Sequence, residues 1–177
     1  MLHKTRMICQ QLAAPAFEKP GELVAWMGAM QAQAYDMTKW AVGLRLKNGT
    51  LAAVNEALNK GEILRTHVMR PTWHLVAAED IRWMVQLSAA RISAANDSYG
   101  KSRNLDISPA LYNRVNGLLE RMLEGGNALT KQEIASRLEQ AGIETANSEA
   151  TRFLLHAETN GLVCSGPDRG GKPTYAL

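Results

Sequence analysis

The chain has 177 residues, of which 46% are hydrophobic and 21% charged, with a formal net charge of +3. That length fits one ordinary domain or two small ones and excludes a large α/β barrel. The composition is that of a globular protein able to bury a core, which excludes disorder as the main state. The uncharged stretch from Leu23 to Tyr35 carries two glutamines and falls short of the ~18 apolar residues of a membrane span, so no membrane partner is expected. The amino end has no signal-peptide core, and two cysteines cannot build a disulfide framework. A reducing cytoplasm is the expected compartment.

The elements expected from periodicity are mainly helical. A first helix over Lys4 to Ala14 stops before Pro15. A second follows Pro20-Gly21 and carries Leu23, Trp26, Met27 and Met30 at helical spacing. A third, Met37 to Leu46, ends at the turn signal Lys47-Asn48-Gly49, and a fourth with Leu51, Val54 and Leu58 closes at Asn59-Lys60-Gly61. Between Ile63 and Ala77 the period changes to that of two extended segments joined near Arg70-Pro71. In the second segment Trp73, Leu75 and Ala77 share one face and Thr72, His74 and Val76 the other. A helix from near Ala78 into the early nineties closes this half.

The stretch Asn96 to Ser108, rich in Asn, Ser, Asp and Gly, reads as a linker. Beyond it Pro109 opens a helix whose apolar stripe is Leu111, Val115, Leu118, Leu119, Met122 and Leu123. Thr130 and Glu133 have capping-box spacing and open a helix that Ala141-Gly142 ends. A helix over Asn147 to Asn160 and a glycine-turned hairpin between Leu162-Ser165 and Pro173-Leu177 complete the order of a winged helix-turn-helix. The expected fold is therefore mainly α with short β-hairpins, as tandem winged helix-turn-helix units at 1–95 and 109–177 with the linker at 96–108.

Charge is uneven along the chain. Residues 1–95 hold eleven Lys/Arg against seven Asp/Glu, whereas residues 96–177 hold nine against ten. The basic excess includes Lys39, Arg45, Lys47, Lys60, Arg65 and Arg70, and such a patch is either a nucleic-acid footprint or a solvated basic surface. Gly166 to Lys172 has the glycine-to-lysine spacing of a phosphate-binding loop, but Pro173 stands where Ser or Thr is needed and a strand follows. No nucleotide cofactor is expected, and Arg169 and Lys172 become candidate phosphate contacts on a wing. The four histidines and two cysteines have no zinc-finger spacing, and no nucleophile elbow is present, so no metal and no other cofactor is expected.

The segment Met30-Gln31-Ala32-Gln33-Ala34 places two long amides in an apolar stretch. Buried amides need partners. On a continuous helix Gln31 and Gln33 point roughly 200° apart, so both serve one site only if the helix ends or bends there. The alternative is a helix with one exposed and one core-rim glutamine.

Taken with Trp40, Arg45 and Arg70-Pro-Thr-Trp-His-Leu-Val76, this Gln-x-Gln segment resembles the tandem winged-helix DNA glycosylases of the AlkZ type. The Leu129–Ile134 segment and the terminal Gly-Lys-Pro-Thr-Tyr-Ala-Leu add to the resemblance, which spans nearly the whole chain. It implies monofunctional removal of cationic N7-alkylated purines and unhooking of interstrand crosslinks in double-stranded DNA, with Gln31 and Gln33 as the catalytic pair. Such enzymes are longer and add a third winged helix, so the chain is expected to correspond to an amino-terminal portion. The expected DNA contacts are Lys39, Arg45, Lys47, Arg65, Arg70, His74, Arg152, Arg169 and Lys172. His74 is equally readable as a histidine bonded to backbone. The competing readings are a non-catalytic winged-helix regulator reading DNA through residues 147–160, an inactive fragment, and a protein-interaction module.

Overall fold

A computed structural model describes residues 2–69, 71–103, 105–145 and 149–177. The chain divides into two compact units: residues 1–65 with 72–81, and residues 66–71 with 82–177.

The first unit begins with helix α1 (Leu2–Cys9), which buries no residue. Helix α2 (Pro20–Met27) starts with proline in its first turn, where the missing N–H costs nothing. It ends at Gly28, whose φ of 72° an L-residue rarely adopts. The expected helix through Met30 therefore stops three residues early, and strand β1 (Ala29–Gln31) begins directly. Helices α3 (Tyr35–Gly43) and α4 (Leu51–Asn59) follow, the second capped by the Thr50 hydroxyl accepting from Ala53 N–H. Strands β2 (Ile63–Val68) and β3 (Thr72–Ala77) form the expected hairpin, and β1 pairs antiparallel with β3, giving the order β1-β3-β2. The two faces of β3 are not split into buried and open sets, because His74, Leu75, Val76 and Ala77 are all buried. Leu23, Val24, Val42, Val54 and Ile63 are fully buried at the centre of this unit's core.

In the second unit helix α5 (Ile81–Ser102) runs for 22 residues, straight through most of the expected linker. Asn, Ser and Gly are poor in helix interiors because they compete for or expose the backbone. Here tertiary bonds override that preference: buried Asn96 donates from Nδ2 to Tyr112 Oη at 3.4 Å and to the Arg152 carbonyl at 3.3 Å. Neither 95 nor 108 is a boundary of the two compact units.

Helix α6 (Pro109–Leu123) starts at a Ser108 cap and buries Val115, Leu119 and Leu123 of the expected stripe, together with Tyr112, which lies outside it. A two-residue strand β4 (Leu129–Thr130) leads into α7 (Lys131–Gln140), where Thr130 and Glu133 form the capping box. The Thr130 backbone N–H, and then its hydroxyl, hold the Glu133 carboxyl below the usual carboxylate range. Helix α8 is described over Glu149–Thr159, and the expected start at Asn147 and Ser148 lies outside the described residues. Strands β5 (Cys164–Arg169) and β6 (Lys172–Ala176) join at Gly170 and Gly171, both with positive φ, as a tight primed turn demands. The phosphate-loop spacing thus belongs to a hairpin turn. The sheet order is β4-β6-β5, the same order as in the first unit.

Candidate active site

Gln31 closes the strand that replaces the end of α2, and Gln33 follows it at a bend. Ala29, Met30 and Gln31 pair with Val76, Leu75 and His74, and the ladder continues as Ala32 N–H donates to the Trp73 carbonyl at 2.7 Å. Successive residues of an extended segment face opposite sides. Met30 and Ala32 point into the core, Ala32 with no exposed surface, while Gln31 and Gln33 are both exposed. The helical arrangement with one core-rim glutamine is therefore replaced by two amides flanking one buried alanine. Gly28, with its positive φ, marks where α2 gives way to this segment.

The two amides differ in what holds them. Gln33 Oε1 accepts from Trp73 N–H at 3.4 Å, which draws its oxygen toward β3 and leaves its NH₂ with no protein partner among the described residues. Among the described residues the Gln31 side chain has no protein partner, so its oxygen and NH₂ are open to a ligand. The peptide backbone beneath them is braced from both ends: Thr38 Oγ1 donates to the Ala34 carbonyl at 2.9 Å and the Gln31 carbonyl at 3.4 Å.

Arg65, on β2, approaches the same segment. Its Nε and Nη2 donate to the Ala32 carbonyl at 3.1 and 2.8 Å, and Nη2 reaches the Gln33 carbonyl at 3.5 Å. The guanidinium lies 4.3 Å from the Trp73 ring centroid and 4.9 Å from that of Tyr35. This contact is absent from any reading of spacing, because 33 residues separate Arg65 from Ala32.

The other expected contacts scatter. Lys39 is only 5% exposed, its ammonium 4.2 Å from the Tyr35 ring centroid. Arg45 bends back, Nη1 donating to the Ala41 carbonyl at 2.8 Å. Lys47 is exposed and pairs with Glu18 at 3.5 Å, an arrangement water and salt can loosen. His74 is buried, with Nδ1 2.9 Å from the Thr72 carbonyl, which makes it a backbone-bonded histidine beside the site. Arg70 lies outside the described residues.

In the second unit Arg152 is 4% exposed and donates to the Leu105 carbonyl, so it offers no charge to a phosphate. Arg169 pairs with Glu133 across a shallow cleft that Lys172 also lines, and Lys172 is exposed. His156 stacks on Tyr112, ring centroids 3.9 Å apart, and Thr159 is buried. Among the described residues of α8 only Thr151 is exposed. The sequence places polar groups at reader spacing on this helix, and the structure turns them inward.

A buried polar cluster brings together Glu158 and His67, which sequence reasoning does not pair. Glu158, 3% exposed, accepts from the Thr66 hydroxyl, from His67 N–H at 2.6 Å and faces His67 Nδ1 at 2.8 Å. Among the described residues no group of His, Cys, Asp and Glu is arranged to hold a metal ion, and no helix is long and apolar enough to cross a membrane.

Comparison with known proteins bears on this geometry. An interstrand DNA cross-link repair glycosylase of Streptomyces sahachiroi is 25% identical, over 97% of this chain and 47% of the relative. The solved structure of Streptomyces sahachiroi DNA glycosylase AlkZ has the same fold, with a TM-score of 0.78 at 23% identity over the same shares of the two chains. The chain thus spans about half the length of the relatives it matches. Residues 24–177, which include the Gln-Ala-Gln segment and both hairpins, match the DNA glycosylase AlkZ-like family, and the chain belongs to that family.

Proposed function

We propose that this chain carries the base-excising portion of a DNA-repair glycosylase, acting on N7-alkylated purines and crosslinks in duplex DNA, on two winged helix-turn-helix units. The observation that supports it is the exposure of both Gln31 and Gln33 around buried Ala32, on a segment braced at the end of strand β1. The shared sheet order of the two units, each preceded by helices, supports the tandem winged-helix reading.

The chemistry follows from the amides. An N7-alkylguanine already carries positive charge, so its glycosidic bond is weak and its departure needs no proton from the protein. An amide is far too weak a base to deprotonate water, but it can hold a water against the anomeric carbon and stabilise oxocarbenium-like charge. Gln33 donates from its unpartnered NH₂ to the water oxygen, its own oxygen accepting from Trp73 N–H. Gln31, with its oxygen open, accepts from the water or faces the developing positive charge. Neither group adds a charge beside a cationic base. A crosslink joins both strands, so an open site suits it better than a tight base-flipping pocket. The exposed positions of both glutamines agree with that.

A non-catalytic regulator reading DNA through α8 is disfavoured, since that helix leaves only Thr151 exposed among its described residues. The test is release of N7-methylguanine from duplex DNA by the chain and by Gln31→Ala/Gln33→Ala. We expect the double variant to lose release by at least about 100-fold, as removal of an oriented stabilising group does, with DNA affinity retained. Equal release by the variant places the chemistry elsewhere. No release by the unsubstituted chain makes it a fragment inactive by itself.

A further inference from the structure

We propose that Arg65 is a positioning residue for excision: it locks the Gln31–Gln33 segment in the form that exposes both amides around buried Ala32, and its charge is not spent on a DNA phosphate. The proposal rests on the glycosylase reading of the two glutamines.

The argument turns on Ala32. Its N–H donates to the Trp73 carbonyl, which fixes the peptide plane joining Gln31 to Ala32. Its carbonyl, part of the plane joining Ala32 to Gln33, receives both Nε and Nη2 of Arg65 at 3.1 and 2.8 Å. The planes on either side of the alanine are thus each pinned by a partner, and these planes set the directions in which the two glutamine side chains leave the backbone. The guanidinium carbon in turn lies over both rings, 4.3 Å from the Trp73 centroid and 4.9 Å from that of Tyr35. A planar fork that stacks on rings while donating from two nitrogens is a property of arginine that a lysine ammonium lacks. The residue that orients Gln33 through its amide oxygen is Trp73, so one guanidinium braces both the backbone of the pair and the strand that aligns it. Had Arg65 been a phosphate contact, its donors would point outward; two of them point to carbonyls of the very segment in question.

Arg65→Lys and Arg65→Met, in the full chain, separate the two roles. In single-turnover release of N7-methylguanine from duplex DNA, we expect both variants to slow by about 10- to 100-fold, since small misplacements of catalytic groups have effects of that size. DNA affinity should change by less than about 2-fold, with an unaltered salt dependence. Retention of the wild-type rate in Arg65→Lys overturns the proposal, as does weaker binding whose salt slope falls by about one unit, the mark of a lost phosphate contact. Amide hydrogen exchange gives a readout independent of activity. The Ala32 and Trp73 amides should exchange faster in both variants while Leu119 and Ile134 in the second unit stay protected. Unchanged protection at Ala32 refutes the clamp even where the rate falls. If the wild-type chain releases no base, it is a fragment inactive by itself, and exchange alone decides whether Arg65 braces the segment.

Discussion

At the β1–α3 junction of the first unit, helix α3 starts from Ala34 with no side-chain cap, and the residues before it hold two exposed amides. At the β4–α7 junction of the second unit, helix α7 starts from Thr130 in a reciprocal capping box, and Leu129 before it is buried. The two junctions have the same place in the order helix, strand, helix, helix, hairpin. One spends its polar groups on closing the backbone, and the other leaves them available. The helices that follow show the same contrast: α4 keeps Leu51, Ala52, Glu56 and Asn59 exposed, while α8 turns Arg152, Glu158 and Thr159 inward. Equivalent topology therefore does not give equivalent use. The first unit has the open polar edge expected of a site, and the second has the sealed polar interior expected of a support.

The contrast is most exposed to test at Glu158. Its carboxylate is the shared acceptor for the Thr66 hydroxyl and the His67 backbone and ring, in a region closed to water. Removing one partner of a buried polar cluster leaves the others unsatisfied. We expect Glu158→Ala to destabilise the second unit by about 3 kcal/mol, and Glu158→Gln by less. Chemical denaturation followed by a probe in that unit measures it. A stability change near zero means the cluster is solvated, and α8 regains an open polar face.

The caps give a smaller and paired effect. Thr130→Ala should cost about 1 kcal/mol, the usual effect of losing an N-cap. The uncapped end of α3 predicts the reverse, so Ala34→Ser should stabilise the first unit by up to about 1 kcal/mol. If the open end belongs to the site, that gain comes with slower base release, as local stabilisation of a working site often does. Stabilisation with unchanged release makes the missing cap incidental, and the comparison of the two junctions then rests on the glutamines alone.

Much of this architecture is legible in the sequence where one residue type decides a local outcome. Pro109, the Thr130–Glu133 spacing and the glycine pair at 170–171 mark their elements correctly, because each acts on the backbone within a turn. The Gln-x-Gln pair is legible as a problem, two amides that a helix cannot aim together, and its answer is a strand of three residues too short for any periodicity to announce. The linker expectation fails on the opposite ground: Asn96 and Gly100 are poor helix formers in isolation, and bonds to residues 16 and 56 positions away help hold Asn96 in α5. Charges are readable as a count but not as a direction. Arg65 and Arg152 contribute to the basic total, yet their donors turn to carbonyls 33 and 47 residues away, while Lys39 turns to the Tyr35 ring one turn back on its own helix.

The smallest effect distinguishes an inward from an outward face on α8 by titration. The His156 ring stacks on Tyr112 at an interplanar angle of 14°, and burial pushes its pKa below the usual histidine value, with Asp97 opposing in part. In the unfolded chain the ring takes up a proton near pH ~6.5, before the folded chain does. The contribution of a neutral, stacked His156 is therefore fully present above that pH and is lost as pH falls through the lower folded value. Denaturation midpoints measured from pH 7 to 5 should fall more steeply for the wild type than for His156→Phe, which keeps the stack and cannot titrate. A histidine on a groove-reading face would be solvated, and the two curves would then run parallel. Parallel curves accordingly return α8 to the list of DNA-facing elements, and a steeper wild-type curve keeps it in the interior.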